Sequence, residues 1–428
     1  MPGDKSISIR TVLISSLGIG KSIIKGLPNS EDVKSSIKCC QKLGILIKRK
    51  KNITEIYGKG INGFFYKKNL TLDAGNSATV GRCILGSLVR SPYKIKLIGD
   101  ASLSKRDFFR VIKPLQEFGA TFYPKGKKTL PIYIKGTNFV RPIKFQDNIG
   151  SAQIKTSFCL AALNSPGISF MKSARCRDHT EKMFKYLKIP IKIKKEKNYD
   201  LIKIKGLKNF KSFNYHIPAD PSSVAFFVML TILSKNSSML IKNCLTNENR
   251  IGFYKVLRQM GAKIIFKNKK TYKGEKIADI YCKSSKKLIS VNLSKNFNNS
   301  SMIDEMNSLF ILASFSQGVS TFQGLEQLQQ KESKRLDWGF KILKMIGIKT
   351  KKIGNHGIKI WGQPNLQLNK KYTIKDYSKD HRIAMCTIIL ALARGGNWKV
   401  HDARDAIKTS FPSFLKIIKF LGGKYEIN

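Results

Sequence analysis

Six arginines lie in short segments rich in glycine, serine, aspartate and lysine. The 428-residue chain holds 79 lysines and arginines, of which only 15 are arginine. A guanidinium donates two parallel hydrogen bonds to a carboxylate or phosphate, which an ammonium group cannot copy. The arginines in polar segments therefore mark candidate anion-binding positions: Arg10, Arg82, Arg106, Arg177, Arg335 and Arg382.

Two of these arginines end a turn that leads into a predicted helix. In Pro2–Arg10, a Pro-Gly turn precedes Lys5 and Ser6; Ser6 is the predicted N-cap, and Arg10 follows one helical turn later on the same face. These three side chains together can hold an oxyanion. In Asp73–Arg82, small residues allow backbone N–H groups to approach an anion closely, but the glycine spacing fits neither a Walker nor a dinucleotide motif.

A recurring pattern supplies the elements that would position these residues. An amphipathic helix ends at an apolar residue followed by glycine, and an alternating, strand-like segment comes next. Glycine there adopts the left-handed conformation that ends a helix. The pattern occurs six times, with its capping position at Gly44, Gly119, Lys188, Gly261, Gly347 and Gly422. Six α/β units divide most naturally into two domains of three, and many helix N-termini would then face one cleft as anion sites.

Length and composition restrict the class of protein. A chain of 428 residues suggests two or three domains, and 42% hydrophobic residues excludes a disordered tail. The longest apolar stretches, such as Val224–Leu233 and Ile383–Ala393, are about half the ~20 residues that span a bilayer. We therefore expect a globular protein without a membrane partner.

The net charge of +52 would normally indicate a nucleic-acid partner, but the lysines are scattered without interleaved aromatic residues. We interpret the excess as the product of an A+T-rich coding sequence, and expect no nucleic-acid partner. The charge should still attract anionic small molecules, with binding that is sensitive to salt.

The first twenty residues have the outline of a short signal peptide, with Lys5 and Arg10 before an apolar segment. Asp4 interrupts the basic region, Lys21 follows directly and no cleavage site is evident, so export is not favoured. The eight cysteines show no CxxC pair and no disulfide-like spacing. The predicted compartment is the cytoplasm.

Further motifs follow in order along the chain. They are Gly99–Arg106, Ser151–Lys155, Arg177–Glu181, Asp220–Ser223, Ile303–Glu305, Lys331–Leu336, Asp380–Met385 and Ser410–Pro412. Together with the two turn segments, they resemble the 5-enolpyruvylshikimate-3-phosphate synthase family from Pro2 almost to the C-terminus. The combination is highly specific to that family.

The resemblance implies an α/β, two-domain enolpyruvyl transferase fold, with six repeated units, three per domain, around an interdomain cleft. The N-terminal domain would span 5–218, and the C-terminal domain 1–4 together with 219–428. The implied enzyme transfers the enolpyruvyl group of phosphoenolpyruvate to the 5-hydroxyl of shikimate 3-phosphate by addition and elimination, releasing phosphate. The reaction lies on the shikimate pathway to chorismate and aromatic amino acids. No metal or organic cofactor is required, and a monomer is expected.

The family's motifs also imply roles for individual residues. The shikimate 3-phosphate site would comprise Lys5, Ser6, Arg10, Ser151, Ala152, Gln153, Arg177, Asp304 and Lys331. The phosphoenolpyruvate site would comprise Lys5, Ala78, Arg106, Gln153, Arg335 and Arg382. The catalytic residues would be Lys5, Asp304, which accepts the 5-hydroxyl proton, and Glu332, which serves the methylene carbon. Ala78 replaces a glycine of many members, and its methyl group should crowd longer inhibitors, as in glyphosate-tolerant (class II) members.

Two other functions remain as alternatives. An enolpyruvyl transferase for a nucleotide sugar shares the fold, but would carry a mobile-loop cysteine where the segment around Arg106 has none. A basic RNA-binding protein on a decayed enzyme scaffold would have lost its site residues, whereas these motifs are nearly intact. The departures from the family pattern are Ile9, Asp107, Asn307 and Gln329.

Overall fold

A computed structural model describes residues 1–285 and 287–427 and divides into two compact units. The N-terminal unit comprises Gly3–Ile217 with Lys273–Glu275. The C-terminal unit comprises Met1–Pro2, Pro218–Tyr272 and Lys276–Asn428, of which Lys286 and Asn428 lie outside the described residues. Each unit mixes helices with small sheets, which confirms the predicted α/β class.

The N-terminal unit is built from six helices and twelve strands among the described residues. Its helices are α1 (Lys5–Leu17), α2 (Glu31–Lys42), α3 (Ala78–Gly86), α4 (Phe109–Glu117), α5 (Ala152–Ala162) and α6 (His179–Tyr186). Its strands are β1 (Ile19–Lys25), β2 (Leu46–Lys50), β3 (Ile53–Lys59), β4 (Thr71–Asp73), β5 (Ile95–Ile98), β6 (Thr121–Tyr123), β7 (Ile132–Lys135), β8 (Lys144–Asp147), β9 (Ile168–Ala174), β10 (Ile191–Lys195), β11 (Tyr199–Lys205) and β12 (Tyr215–His216).

These strands form three four-stranded sheets with one shared topology. The strand orders are β12-β1-β3-β2, β4-β5-β7-β6 and β10-β11-β9-β8. In each sheet one outer pair is parallel and the other two pairs are antiparallel. The repeat read from the sequence therefore appears as three copies of one α/β arrangement in this unit.

Helices α1, α3 and α5 are the inner helices of the N-terminal unit. Helix α1 is buried from Ile7 to Leu17, and α5 is buried from Ile154 to Ala162. Helices α3 and α5 approach closely at Gly86, where a Cβ atom would overlap the carbonyl oxygen of Ser157. Because these inner helices are tightly packed, their first turns are held in fixed positions.

The C-terminal unit also combines helices with small sheets. Its helices are α7 (Pro221–Leu233), α8 (Gly252–Gln259), α9 (Met306–Ser314), α10 (Arg335–Met345), α11 (His381–Arg394), α12 (Ala403–Lys408) and α13 (Phe414–Phe420). Its strands are β13 (Ser238–Leu245), β14 (Ile264–Tyr272), β15 (Glu275–Lys283), β16 (Asn292–Leu293), β17 (Val319–Phe322), β18 (Thr350–Ile353), β19 (Gly357–Trp361), β20 (Lys371–Ile374) and β21 (Asn397–Val400).

The sheets of the C-terminal unit have the orders β13-β15-β14, β16-β17-β19-β18 and β20-β21. Helices α7, α9 and α11 pack on one another as its inner helices, and most of their residues belong to one continuous apolar core. Phe227, Phe411 and Phe414 extend this core through tilted and edge-on ring contacts at 5.6–6.1 Å between centroids.

All six predicted capping positions have positive φ angles. The five glycines lie between 79° and 109°, and Lys188 adopts 56°. A strand follows the cap in the first five copies. After Gly422 the described residues up to Ile427 form no strand, so the strand predicted for the sixth copy is wrong.

The eight cysteines are all buried and free of disulfide bonds. Burial raises the pKa of Cys39, Cys40, Cys176 and Cys386 to about 12. Within the described residues, no helix combines the length and apolar character needed to cross a bilayer.

Candidate active site

Helix α1 places three of the predicted site residues within its first two turns. The predicted N-cap Ser6 is wrong, because the Asp4 side chain accepts the hydrogen bond from the Ile7 N–H at 2.7 Å and the helix starts at Lys5. Lys5 lies 3.0 Å from the carboxylate of Asp32, which follows the start of α2 and is nearly buried. The ammonium of Lys5 is thus held beside the first turn of α2.

Arg10 joins the start of α1 to the starts of α5 and α6. Its side chain is buried, and its Nη1 and Nη2 groups donate to the carbonyl oxygens of Ser6 and Ala152 at 2.9 and 3.1 Å. Its Nε donates to the hydroxyls of Thr156 and Thr180 at 3.0 and 3.1 Å. Ser6, Arg10 and Ala152 therefore lie together, as the motifs predict.

The turn before α5 is organised by Asp147, a residue that no sequence motif identifies. One carboxylate oxygen accepts from the backbone N–H groups of Ile149 and Gly150 at 2.9 and 3.2 Å, and the other accepts from Ser151 at 3.0 Å. Ser151 then caps α5 through its hydroxyl. A helix start with this rigid turn offers free N–H groups to an anion.

The remaining predicted residues of the N-terminal unit lie on neighbouring turns. Ala78 is buried at the first position of α3, directly after its N-cap Ser77. Arg106 follows a single 3₁₀ turn, Leu103–Lys105, and is half-buried. Arg177, also half-buried, comes just before α6.

Gln153 occupies the second position of α5 and connects this helix to α3. Its Oε1 accepts a hydrogen bond from Arg82 Nη1 at 2.6 Å, and its Nε2 donates to the hydroxyl of Thr79 at 3.1 Å. The first turns of α3 and α5 therefore meet, which brings Gln153 next to the segment that contains Ala78.

In the C-terminal unit, Arg335 is surrounded by three carboxylates. Its Nη2 lies 2.5 Å from Glu332, its Nη1 lies 3.3 Å from Asp304, and its Nε lies 2.8 Å from Asp380. The guanidinium is almost completely buried, whereas Asp304 and Glu332 keep 14% and 16% of their side-chain surface exposed. The two predicted catalytic acids therefore remain accessible beside a buried cation.

Asp304 is also in contact with the other two predicted cations of this unit. Lys331 Nζ lies 3.3 Å from its Oδ1, and Arg382 Nη2 lies 3.8 Å from its Oδ2. Arg382 Nη1 donates to the backbone carbonyl of Asp304 at 3.1 Å and lies 3.8 Å from the buried Glu305. The structure thus brings together all five residues that the motifs predict here.

Asp380 orients both arginines from the start of α11. It accepts two hydrogen bonds from Arg335, and one from the backbone N–H of Arg382 at 3.0 Å. It also accepts from the hydroxyl of Ser333 at 2.9 Å. Asn307, one of the departures from the family pattern, donates to the carbonyl of Arg335 at 2.9 Å and so supports the start of α10.

Charge and burial set the protonation of this cluster. Burial alone would lower the pKa of Arg335, but Asp380, Glu332 and Asp304 outweigh it and raise the pKa further above its usual value. Burial raises the pKa of Glu305, against the opposing effect of Arg382. The cluster therefore holds a permanent cation next to carboxylates of differing basicity, which is a suitable setting for proton transfer.

The two units differ in the chemistry that they can support. Of the 27 acidic residues in this basic chain, four lie in the Arg335 cluster: Asp304, Glu305, Glu332 and Asp380. The helix starts of the N-terminal unit instead present arginines, a lysine and backbone N–H groups, which suit phosphate and carboxylate binding. Among the described residues, no group of three or more histidines, cysteines or acids is arranged to hold a metal ion.

Comparison with known proteins gives one consistent result. Residues 1–418 match the family model described as EPSP synthase (3-phosphoshikimate 1-carboxyvinyltransferase). The chain is 34% identical to the 3-phosphoshikimate 1-carboxyvinyltransferase of Zymomonas mobilis, with 100% of this chain and 94% of that protein covered. It is 36% identical to the protein of the same name from Bartonella tribocorum, with 99% and 95% covered.

A solved structure shows the same fold. The EPSP synthase from Acinetobacter baumannii superimposes with a TM-score of 0.84 at 29% identity, covering 98% of this chain and 94% of that one.

Proposed function

The chain belongs to the EPSP synthase family, and we propose that it transfers the enolpyruvyl group of phosphoenolpyruvate to the 5-hydroxyl of shikimate 3-phosphate, releasing phosphate. The observation that carries the proposal is the cluster in which Asp304 and Glu332 stay accessible on either side of the buried Arg335. In this family the reaction belongs to the shikimate pathway, which leads to the aromatic amino acids.

The reaction needs three proton transfers. In the addition step, the 5-hydroxyl oxygen bonds to C2 of phosphoenolpyruvate as the C2–C3 double bond opens, the hydroxyl proton passes to Asp304, and protonated Glu332 donates a proton to the methylene carbon. In the elimination step, the bond to the phosphate oxygen breaks, phosphate leaves with the electron pair, and Glu332 removes a proton from the methyl carbon. Positioned carboxylates perform such transfers efficiently when their pKa values are tuned by neighbouring charges.

The cations supply the electrostatic part. Arg335 donates to Asp380 through Nε and Nη2, to Glu332 through Nη2 and to Asp304 through Nη1. The buried guanidinium keeps its positive charge beside the two accessible acids, where it attracts the anionic substrates. Arg382 and Lys331 supply further positive charge on either side of Asp304.

The N-terminal unit supplies binding groups. We assign Ser6, Arg10, Ser151, Ala152, Gln153 and Arg177 to shikimate 3-phosphate, together with Lys331 and Asp304 of the C-terminal unit. Lys5, Ala78, Arg106, Gln153, Arg335 and Arg382 are assigned to phosphoenolpyruvate, with Lys5 also bound to shikimate 3-phosphate. The contacts of Arg10 with Ser6 and Ala152, and of Gln153 with the start of α3, support this grouping.

The proposal includes the domain limits predicted above, 5–218 against 1–4 with 219–428, and a monomer that needs no cofactor and binds neither nucleic acid nor membrane. It also places the enzyme in the cytoplasm, where eight free thiols are stable. The methyl group of Ala78, buried at the start of α3, supports the proposal that the site tolerates glyphosate.

Phosphate release tests the proposal directly. Purified protein should release phosphate from phosphoenolpyruvate only when shikimate 3-phosphate is present, and a nucleotide sugar should not replace that substrate. Asp304→Asn and Glu332→Gln should each reduce turnover by about 10²–10⁴-fold, the usual contribution of an acid or base. Calorimetric binding of shikimate 3-phosphate should persist in Glu332→Gln.

Asp405→Asn is the matched control, since its carboxylate is exposed and pairs with Lys408 outside the Arg335 cluster. It should keep full turnover. Folded wild-type protein without phosphate release would refute the proposed function, and full activity of both acid variants would refute the assigned roles.

A further inference from the structure

Arg82 lies in the middle of the N-terminal unit's binding groups, yet the family motifs give it no role. It follows Ala78 by one turn on α3, and only 7% of its surface is exposed. Its Nε atom is buried and has no hydrogen-bond partner among the described residues. Burial, with the positive charges of Arg110 and Arg106, lowers its pKa. A buried cation kept near two other cations indicates an anion-binding environment.

The first contact of Arg82 determines the orientation of the Gln153 amide. A guanidinium only donates hydrogen bonds, so its 2.6 Å contact requires the oxygen of Gln153 to face Arg82. The amide nitrogen then faces the Thr79 hydroxyl at 3.1 Å. That nitrogen carries two N–H groups, of which Thr79 accepts one, and the second can be donated to an anion.

The second contact of Arg82 fixes the chain next to Arg106. Nη2 donates to the backbone carbonyl of Asp107 at 2.6 Å, and the guanidinium lies over the Phe108 ring at 5.2 Å from its centroid. One buried side chain is therefore bonded both to Gln153 and to the residue that follows Arg106.

We propose that Arg82 is a positioning residue for phosphoenolpyruvate. It sets the orientation of the Gln153 amide and holds the backbone at Arg106–Asp107, so that the Gln153 amide and the Arg106 side chain donate to the same substrate. The inference rests on the proposed function. The inference predicts that loss of Arg82 raises the KM for phosphoenolpyruvate selectively, an effect that a purely structural arginine would not produce.

The experiment is steady-state kinetics of Arg82→Met and Arg82→Lys with each substrate varied in turn. Hydrogen bonds to charged groups contribute about 1.5–3 kcal/mol, so Arg82→Met should raise the KM for phosphoenolpyruvate about 10- to 150-fold. The KM for shikimate 3-phosphate should rise less, because Gln153 alone of the two affected groups is assigned to that substrate, whereas Gln153 and Arg106 are both assigned to phosphoenolpyruvate. Arg82→Lys should restore part of the loss, because an ammonium keeps the charge but lacks the planar set of donors.

A double-mutant cycle with Gln153→Ala separates positioning from general damage. If Arg82 acts largely through Gln153, then Arg82→Met should raise the KM for phosphoenolpyruvate at least about threefold less in the Gln153→Ala background than in wild type. Arg90→Met is the control, since Arg90 bonds only weakly to Asn62 at the surface, at 3.3 Å. It should leave both KM values unchanged.

Three outcomes in an active enzyme would each overturn the role of Arg82. They are full additivity of Arg82→Met and Gln153→Ala in the double-mutant cycle, equal rises in the KM values of the two substrates, and an unchanged KM for phosphoenolpyruvate. Should Arg82→Met fail to fold, the same comparison is made with Arg82→Lys. Wild-type protein that releases no phosphate would instead overturn the proposed function, and this inference with it.

Discussion

Replacing Asp380 with asparagine tests whether one buried carboxylate holds both arginines of the C-terminal unit's acid cluster. Asp380 accepts hydrogen bonds from Arg335 at 2.8 and 3.2 Å and from the backbone of Arg382 at 3.0 Å. Asparagine keeps one acceptor but turns an NH₂ group towards donors of Arg335 or Ser333. The variant therefore loses charge and creates a contact between two donors.

The size of the stability loss in Asp380→Asn follows from the distance and burial of the Asp380–Arg335 pair. Opposite charges 2.8 Å apart attract by about 6 kcal/mol at an effective dielectric constant of 20, and desolvation of the two groups offsets several kcal/mol of this. Removing one partner of a buried pair lowers stability by about 3–5 kcal/mol. Because Glu332 and Asp304 still face Arg335, we expect the lower end, about 3 kcal/mol in the free energy of unfolding.

The pH dependence of this difference has a defined sign. Burial by itself would raise the pKa of Asp380, but Arg335 outweighs it and holds the pKa below its ordinary value. Such a carboxylate stabilises the folded state above the unfolded pKa of about 3.9, and this contribution is lost as pH falls through the folded pKa. The difference in the free energy of unfolding between wild type and Asp380→Asn should be largest at neutral pH and should decrease below about pH 4.

Urea denaturation followed by tryptophan fluorescence measures this difference. All three tryptophans, Trp338, Trp361 and Trp398, belong to the C-terminal unit, so the signal reports that unit. Asp405→Asn is the control, and loss of its exposed pair should leave the stability nearly unchanged. If Asp380→Asn were as stable as this control at pH 7, the reasoning from buried contacts would be refuted.

Two further predictions concern the N-terminal unit, with unfolding followed by far-ultraviolet circular dichroism. Lys188 is exposed and adopts a left-handed backbone conformation at φ 56°, so Lys188→Gly should raise the free energy of unfolding by about 1 kcal/mol. Lys185→Gly, inside α6, should lower it by a similar amount. A loss of stability in Lys188→Gly would contradict this account of the cap. Lys155 is fully buried 2.5 Å from Glu181, so Lys155→Met should lower stability by about 3–5 kcal/mol. Lys194→Met, which removes an exposed pair with Glu196, should leave stability nearly unchanged. Equal stability of these two lysine variants would show that burial does not determine the effect.

The repeat was predictable because helix ends have a local chemical cause. An apolar residue followed by glycine identified five of the six caps, and the near-constant spacing identified Lys188 as the sixth, although its side chain disfavours that conformation. The strand predicted after Gly422 is wrong, because strand formation depends on a neighbouring edge that no local pattern reveals. Serine is a favourable cap, so the sequence predicts Ser6, but Asp4 caps the helix two residues earlier.

Site residues were predictable where their type was unusual for the chain. Scarce arginines and acids stood out against the lysines, and the family motifs identified Asp304, Glu332 and their cations. The residues that hold them were harder to find. Asp147 bonds to three backbone N–H groups across a turn, and Asn307 bonds to a carbonyl 28 residues away. Such contacts form only in the folded chain and have no characteristic spacing in the sequence.

The buried thiols give each unit its own chemical reporter. Five cysteines belong to the N-terminal unit and three to the C-terminal unit. A thiol with a pKa of about 12 is ionised in on the order of one molecule in 10⁵ at pH 7, so alkylating reagents would modify it only when the chain opens around it. Labelling rates, read peptide by peptide by mass spectrometry, would follow the opening of the two units separately in the native protein.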